Sequence, residues 1–166
     1  MARHPGKIYG HSTGRAPGQK HYYRKAFSGG EWDTFLALHA IDATLQVCCG
    51  GSQFGTVRVD IDRGVPGVNL VADMRRLPFK DRSFQTVACD PMYGLSMPDR
   101  VHLQRELARV ARARIILKAT WIPRATGWHH RDDLLTVICS HTCQNIGVLS
   151  VLERLPQTAK LEAVNG

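Results

Sequence analysis

No stretch of the 166-residue sequence is apolar for long enough to cross a bilayer. The amino end lacks the apolar core of a secretory signal, so no membrane is expected and the chain reads as cytoplasmic. Its five cysteines are an odd number. Cys48, Cys49 and Cys89 fall inside apolar runs rather than a loop framework, which argues against a disulfide scaffold and for a reduced compartment. A second pair of metal ligands is missing beside Cys139-x-His141-x-Cys143, so that cluster reads either as a poor zinc site or as a strand with half-buried cysteines; no metal is expected. There is no internal repeat, and the length leaves room for one domain and none for a separate target-reading domain.

Acidic residues are absent from residues 1–30, which hold Arg3, Lys7, Arg15, Lys20, Arg24 and Lys25 and so carry most of the formal net charge of +8. The remaining 136 residues, with 16 basic and 14 acidic side chains, are close to neutral. Residues 1–30 are expected to form a flexible basic arm ahead of a single domain over 31–166. An arm rich in Gly, Pro and His, with Tyr9, Tyr22 and Tyr23, suits polyphosphate and stacked bases. It equally suits a solvated tail.

What is present is a series of short apolar runs. Trp32, Phe35, Leu36 and His39 recur at helical spacing between Glu31 and Ala43. Thr44 to Cys49, Val57 to Ile61, Val68 to Ala72 and Thr86 to Asp90 read as buried parallel strands. Asp99 is placed to cap a helix reaching about Arg112, with Leu103, Leu107 and Val110 inward. Ile115 to Ala119 follows as a strand, and Leu134 to Ser140 and Gly147 to Leu152 read as an antiparallel pair. The fold class is therefore α/β: a reduced Rossmann-like, open, mostly parallel sheet with a C-terminal antiparallel hairpin. Only seven residues separate the first two strands and six the next two. Parallel crossovers usually take a dozen or more and include a helix, so the crossover helices are shortened or missing. One face of that half of the sheet then needs cover, either from residues 22–43 or from another subunit, and an oligomer is expected.

Chemistry concentrates at the strand ends. The first strand closes on Cys48-Cys49-Gly50-Gly51-Ser52-Gln53-Phe54-Gly55, the second on Asp60, the third on Asp73-Met74, and the fourth on Asp90-Pro91-Met92-Tyr93. In open α/β sheets the carboxyl ends of the strands line the ligand crevice. A nicotinamide cofactor would also use a Gly-rich turn and a strand-end acid. It needs a helix amino terminus for its pyrophosphate, however, and seven residues leave no room for one. His129, His130 and neighbours from Trp128 to Asp133 are expected either to line the substrate side of the crevice or to start an exposed helix. Arg75 and Arg76 are read as rim residues or a solvated pair.

The ordered strand ends over about residues 44–121 resemble the class I S-adenosylmethionine-dependent methyltransferases. The resemblance implies S-adenosylmethionine as cofactor, with Cys49, Gly50, Gly51 and Gly55 beside its methionine and ribose, Asp60 on the ribose hydroxyls, and Asp73 and Met74 beside adenine. Asp90-Pro91-Met92-Tyr93 resembles the Asp-Pro-Pro-Tyr signature of methyltransferases acting on exocyclic amino groups of nucleic acid bases. By that resemblance Asp90 and the Pro91 carbonyl position the amino nitrogen and Tyr93 stacks on the extruded base. Three positions depart from the pattern: Gln46 and Gln85 stand where acids are usual, and Met92 replaces the second proline. The implied partners are DNA or RNA, and a homo-oligomer or partner subunit over the sheet. A methyltransferase of protein or small molecules, and a non-catalytic binding subunit of the same fold, are the alternative readings.

Overall fold

The computed structural model describes residues 30–139 and 144–156; the arm and the sequence around His141 and Cys143 lie outside them. The described residues form helix α1 (Gly30–His39), strands β1 (Thr44–Val47), β2 (Val57–Asp60), β3 (Leu70–Val71) and β4 (Phe84–Cys89), helix α2 (Met97–Val110), and strands β5 (Ala111–Ala119), β6 (Trp128–Cys139) and β7 (Gln144–Arg154). The strands make one seven-stranded sheet in the order β3-β2-β1-β4-β5-β7-β6. The first five strands are parallel, and β7 runs antiparallel to both β5 and β6. This is the expected open sheet with its C-terminal hairpin. No helix among the described residues is long and apolar enough to cross a membrane.

Side-chain alternation along the strands divides the core into two layers. On one face Leu45, Val47, Val87, Cys89, Ile115 and Leu117 pack against Leu103, Leu107 and Val110 of α2. On the other, Ala88, Ile116, Leu149 and Val151 pack against Trp32, Phe35 and Leu36 of α1. His39, the last member of the predicted stripe, is half-buried against the Phe35 ring, and α1 stops there, short of the expected Ala43. Helix α2 also starts earlier than expected. Ser96, in extended conformation, is the N-cap, and its Oγ accepts the Asp99 N–H at 3.3 Å while lying 2.7 Å from Asp99 Oδ2. Pro98 suits the first turn, where no intrahelical N–H is required, so the helix begins upstream of Asp99.

Linkers without helices do join the cofactor-side strands: residues 48–56 connect β1 to β2 and residues 61–69 connect β2 to β3. Helix α1 packs its apolar face on β4, β5 and β7, so the linkers are the segments that lie along β1 to β3. Gly55 sits so close to β1 that an added Cβ would meet the Thr44 carbonyl oxygen at 3.2 Å. Arg58 of β2 donates to the Gly67 carbonyl at 2.6 Å and the Gln53 carbonyl at 3.0 Å, pinning both linkers across the sheet. The connection from β3 to β4 is held to α2 by Glu106 and Arg109. Glu106 accepts the Leu77 N–H at 2.7 Å, and Arg109 donates to the Phe79 and Leu77 carbonyls.

The Trp128 to Asp133 cluster is neither a helix start nor part of the crevice. It opens β6, with Trp128 opposite Arg154 and His129 opposite Glu153. Glu153 in turn faces Arg114 near the start of β5, so the cluster lies toward the amino-terminal edge of the sheet, away from the strand ends that carry Asp60 and Asp90. Residues 120–127 cross back without a helix, a reach that the hydrophobic pattern does not announce.

Candidate active site

The carboxyl end of β1 turns sharply. Cys48 has φ 53° and Gly50 φ 51°, so two left-handed residues flank Cys49. For Cys48 this conformation costs about 1 kcal/mol, because its Cβ crowds the following carbonyl. The turn is held by Asp60 at the end of β2. Its Oδ2 accepts the Gly50 N–H at 3.2 Å, its Oδ1 accepts the Asp62 N–H at 3.0 Å, and the Cys49 N–H reaches the Val59 carbonyl at 3.1 Å. Beneath the turn, Ser52 Oγ lies 3.0 Å from Asp33 Oδ1 and 3.2 Å from Gln46 Oε1, so α1, β1 and the turn share one polar knot. Gln46 is fully buried, and its Nε2 has no partner among the described residues.

Cys49 and Cys89 are poor nucleophiles. Burial and the neighbouring Asp60 carboxylate push the Cys49 thiol up to about 12, and burial raises the Cys89 thiol well above its ordinary range. Both stay protonated at neutral pH, which rules out thiolate chemistry at these two residues. Cys48 Sγ lies 3.5 Å from the Met74 sulfur, forming a soft, apolar wall beside the turn.

Asp90 ends β4. The register that sets Val47 opposite Cys89 brings it next to the β1 turn. Its side chain is only 4% exposed. Tyr93 donates its hydroxyl to Asp90 Oδ1 at 3.1 Å, Pro91 is buried, and Met92 packs on the α2-side core. Met92 thus fills core space at the place where the resembled signature has its second proline. Burial pushes the Asp90 carboxyl up to about 6, against the opposing pull of Lys118 and the Tyr93 hydroxyl. Lys118 Nζ, from the end of β5, lies 3.8 Å from Asp90 Oδ2. Sequence reasoning missed this residue, although its signal was a single lysine in the otherwise apolar run Ile115 to Ala119.

Asp73 is placed differently from Asp60 and Asp90. Arg75 binds it bidentately, at 2.6 Å and 3.0 Å, and reaches on to Asp99 in the first turn of α2 at 3.1 Å. The Arg75 guanidinium therefore holds the Asp73 carboxyl below the usual carboxylate range. Arg75 is thus tied into an ion-pair chain instead of standing free at a rim. The structure brings Cys49, Gly50, Gly51, Asp60 and Asp90 to one edge of the sheet, with Met74 beside them, while Gly55 packs back against β1. Among the described residues no group of three His, Cys, Asp or Glu side chains is arranged to hold a metal ion.

The donor set suits a nucleoside bearing a sulfonium. A buried carboxylate at the end of β2 offers acceptors to paired hydroxyls, the glycines at 50 and 51 allow close backbone approach, and Met74 with Cys48 offers polarizable contact to a ring. The engagement of Asp73 by Arg75 is the one element that does not present a ready acceptor to an adenine amino group.

No family model matches the chain, and no curated protein matches it in sequence. Solved structures do match its shape. A S-adenosylmethionine-dependent methyltransferase from Methanosarcina mazei superposes with a TM-score of 0.58 at 11% identity, covering 74% of this chain and 98% of that one. TrmN from Thermus thermophilus superposes with a TM-score of 0.53 at 18% identity, covering 82% of this chain and 53% of that one. The complex between the Haloferax volcanii Trm112 methyltransferase activator and a candidate methyltransferase gives a TM-score of 0.54 at 12% identity, covering 76% of this chain and 89% of that one. The chain accordingly has the Rossmann-like fold of the S-adenosylmethionine-dependent methyltransferases.

Proposed function

We propose that the chain is an S-adenosylmethionine-dependent methyltransferase acting on an exocyclic amino group of a nucleic acid base. The observation that carries this reading is the juxtaposition, across neighbouring strands, of the Asp60-clamped glycine turn with the Asp90-Tyr93 pair. Asp60 would take the ribose hydroxyls, Gly50 and Gly51 would border the methionine chain, and Met74 would lie against adenine. When bound, the cofactor supplies an electrophilic methyl group. The protein's task is then positioning rather than strong base catalysis. Asp90 and the Pro91 carbonyl accept hydrogen bonds from the amino group, which directs the nitrogen lone pair along the line of transfer. The Tyr93 ring offers a stacking surface to an extruded base, with its hydroxyl anchored on Asp90.

The basic arm supports a polyanionic partner, since Lys and Arg without intervening acids bind phosphate by releasing counterions. Exposed Leu70 and Val71 at one edge of the sheet and Leu134 and Leu135 at the other support an assembly, either a homo-oligomer or a pairing with another subunit. The Haloferax volcanii relative in fold, solved with an activator, is compatible with the latter.

Calorimetry with S-adenosylmethionine on wild type and Asp60→Ala tests the cofactor site: heat from wild type and none from the variant is expected. Transfer of tritiated methyl groups to single-stranded DNA, RNA and bulk protein in parallel then identifies the acceptor. Label on nucleic acid that disappears in Asp90→Ala, with cofactor binding retained, is the expected result. Label on protein alone would assign the alternative acceptor class. Absence of heat from wild type would leave a non-catalytic subunit of the same fold.

A further inference from the structure

We propose that Lys118 is a positioning residue for this reaction, its ammonium keeping the buried Asp90 carboxylate ionised and turned toward the incoming amino group. The inference rests on reading the cleft as a methyl-transfer site. Strand β5 carries Ile116, Leu117 and Ala119 fully buried or nearly so, and Lys118 among them is only 15% exposed. A lysine so placed is costly unless its charge is paired. Asp90 is the carboxylate that the structure sets beside it, at 3.8 Å.

Topology sets the two residues side by side. Cys89 lies opposite Leu117 in the parallel β4-β5 pair, so the next residue on each strand, Asp90 and Lys118, emerges at the same carboxyl edge. Ala88 and Ile116, two residues earlier, both pack on the α1 side, and alternation carries Asp90 and Lys118 to that side as well.

Polarity explains why the pair matters. A buried carboxyl group without a cation takes up a proton, and a protonated carboxyl offers an O–H where the amine needs an acceptor. Lys118 opposes that protonation. Its ammonium stands at ion-pair distance from Oδ2, 3.8 Å away, while the Tyr93 hydroxyl donates to Oδ1, so the two groups orient the carboxylate and leave it lone pairs for the substrate. Among the described residues, the groups acting on Asp90 are Lys118 from β5 and Tyr93 from its own loop, and the adjacent Cys89 thiol is neutral.

The test uses wild type, Lys118→Met and Lys118→Arg, each first shown to give heat with S-adenosylmethionine. The carbon-13 resonance of the Asp90 carboxyl is followed through a pH titration. In Lys118→Met the midpoint should move up by about one pH unit or more, and in Lys118→Arg it should stay near that of wild type. The acid limb of the methyl-transfer rate should move with it. At neutral pH Lys118→Met should lose about twofold in kcat for a one-unit rise of the midpoint and about tenfold for a two-unit rise, with little change in KM, and raising the pH should restore most of the loss. An unmoved Asp90 midpoint, or a rate loss that no pH recovers, would overturn the proposal. Should Lys118→Met prove too unstable, Asp90→Asn/Lys118→Met removes the stranded charge, and recovered folding with cofactor heat would support the pairing; continued failure to fold would assign Lys118 a packing role and refute it. Failure of wild type to bind the cofactor defeats the functional reading instead, and the carboxyl titration reports on the pair independently of it.

Discussion

Replacing Asp60 probes the joint on which the cofactor side of the sheet depends. Its carboxylate accepts two backbone N–H groups, from Gly50 and Asp62, at 3.2 Å and 3.0 Å, and the residue is only 8% exposed. Hydrogen bonds to a charged acceptor contribute about 1.5–3 kcal/mol each, and the longer one belongs at the low end of that range. Asp60→Ala leaves both donors without their acceptor in a region that is largely closed to water. The expected loss is about 3–4.5 kcal/mol, a large share of the 5–15 kcal/mol that typically stabilises a domain. Asp60→Asn keeps one acceptor but turns an NH2 toward the other donor, so its loss should be about half as large. Urea unfolding with an unchanged m-value reads both numbers. A second readout tests the electrostatics: removing the Asp60 charge should lower the Cys49 thiol from about 12, which pH-dependent alkylation detects. An Asp60→Ala protein that unfolds at the wild-type urea concentration and leaves Cys49 unchanged would refute the clamp.

Gly55→Ala forces a residue at φ 94° and brings its Cβ to 3.2 Å from the Thr44 carbonyl oxygen, so a loss of about 1–3 kcal/mol is expected in urea unfolding, with weaker cofactor heat. Arg154 donates to the Ala108, Ala111 and Arg112 carbonyls across the junction of α2 and β5 and stacks 4.4 Å from the Trp128 ring. Arg154→Lys, which keeps the charge but lacks the fork, should cost about 1–3 kcal/mol. Glu106 is held below its ordinary value of 4.5 chiefly by Arg109, so its contribution is complete above that pH and disappears as the pH falls through the lower folded-state value. Wild type should therefore lose stability on acidification below about 4.5, and Glu106→Gln should show a flatter dependence together with lower stability at neutral pH.

Strand-end residues were legible in the sequence because an acid or glycine after a short apolar run has few alternatives in an α/β sheet. Asp60, Asp90 and the Gly50-Gly51 turn accordingly fall at one edge, and the missing crossover helices followed from linker length alone. What eluded the sequence depends on partners distant along the chain. Trp128 to Asp133 joins the far edge because β6 begins six residues earlier than its apolar run at Leu134 suggests, and that extension is fixed by pairing with β7. Cys48 reads as a strand residue by hydropathy, yet the Asp60 clamp pulls the chain into a left-handed turn there. Ser96 displaced Asp99 as the cap because Pro98 favours an early first turn. The capture of Asp73 by Arg75, and of Asp90 by Lys118, were invisible for a common reason: ion pairs depend on register and rotamer, which hydrophobic periodicity does not encode.

The helix-free linkers over β1, β2 and β3 also bear on how motion is distributed through the molecule. Strands β4, β5 and β7 lie between two packed helices, whereas β3 contributes only two residues, both exposed, and no helix among the described residues packs on it. Backbone amides of β2 and β3 should therefore exchange with solvent through local openings of low free energy, while those of β4 and β5 wait for global unfolding. A ligand bridging the glycine turn and Asp60 would close the looser half onto the tighter one. In such a molecule, part of the free energy of recognition is spent on completing the fold, and amide protection in β2 would record occupancy of the cleft.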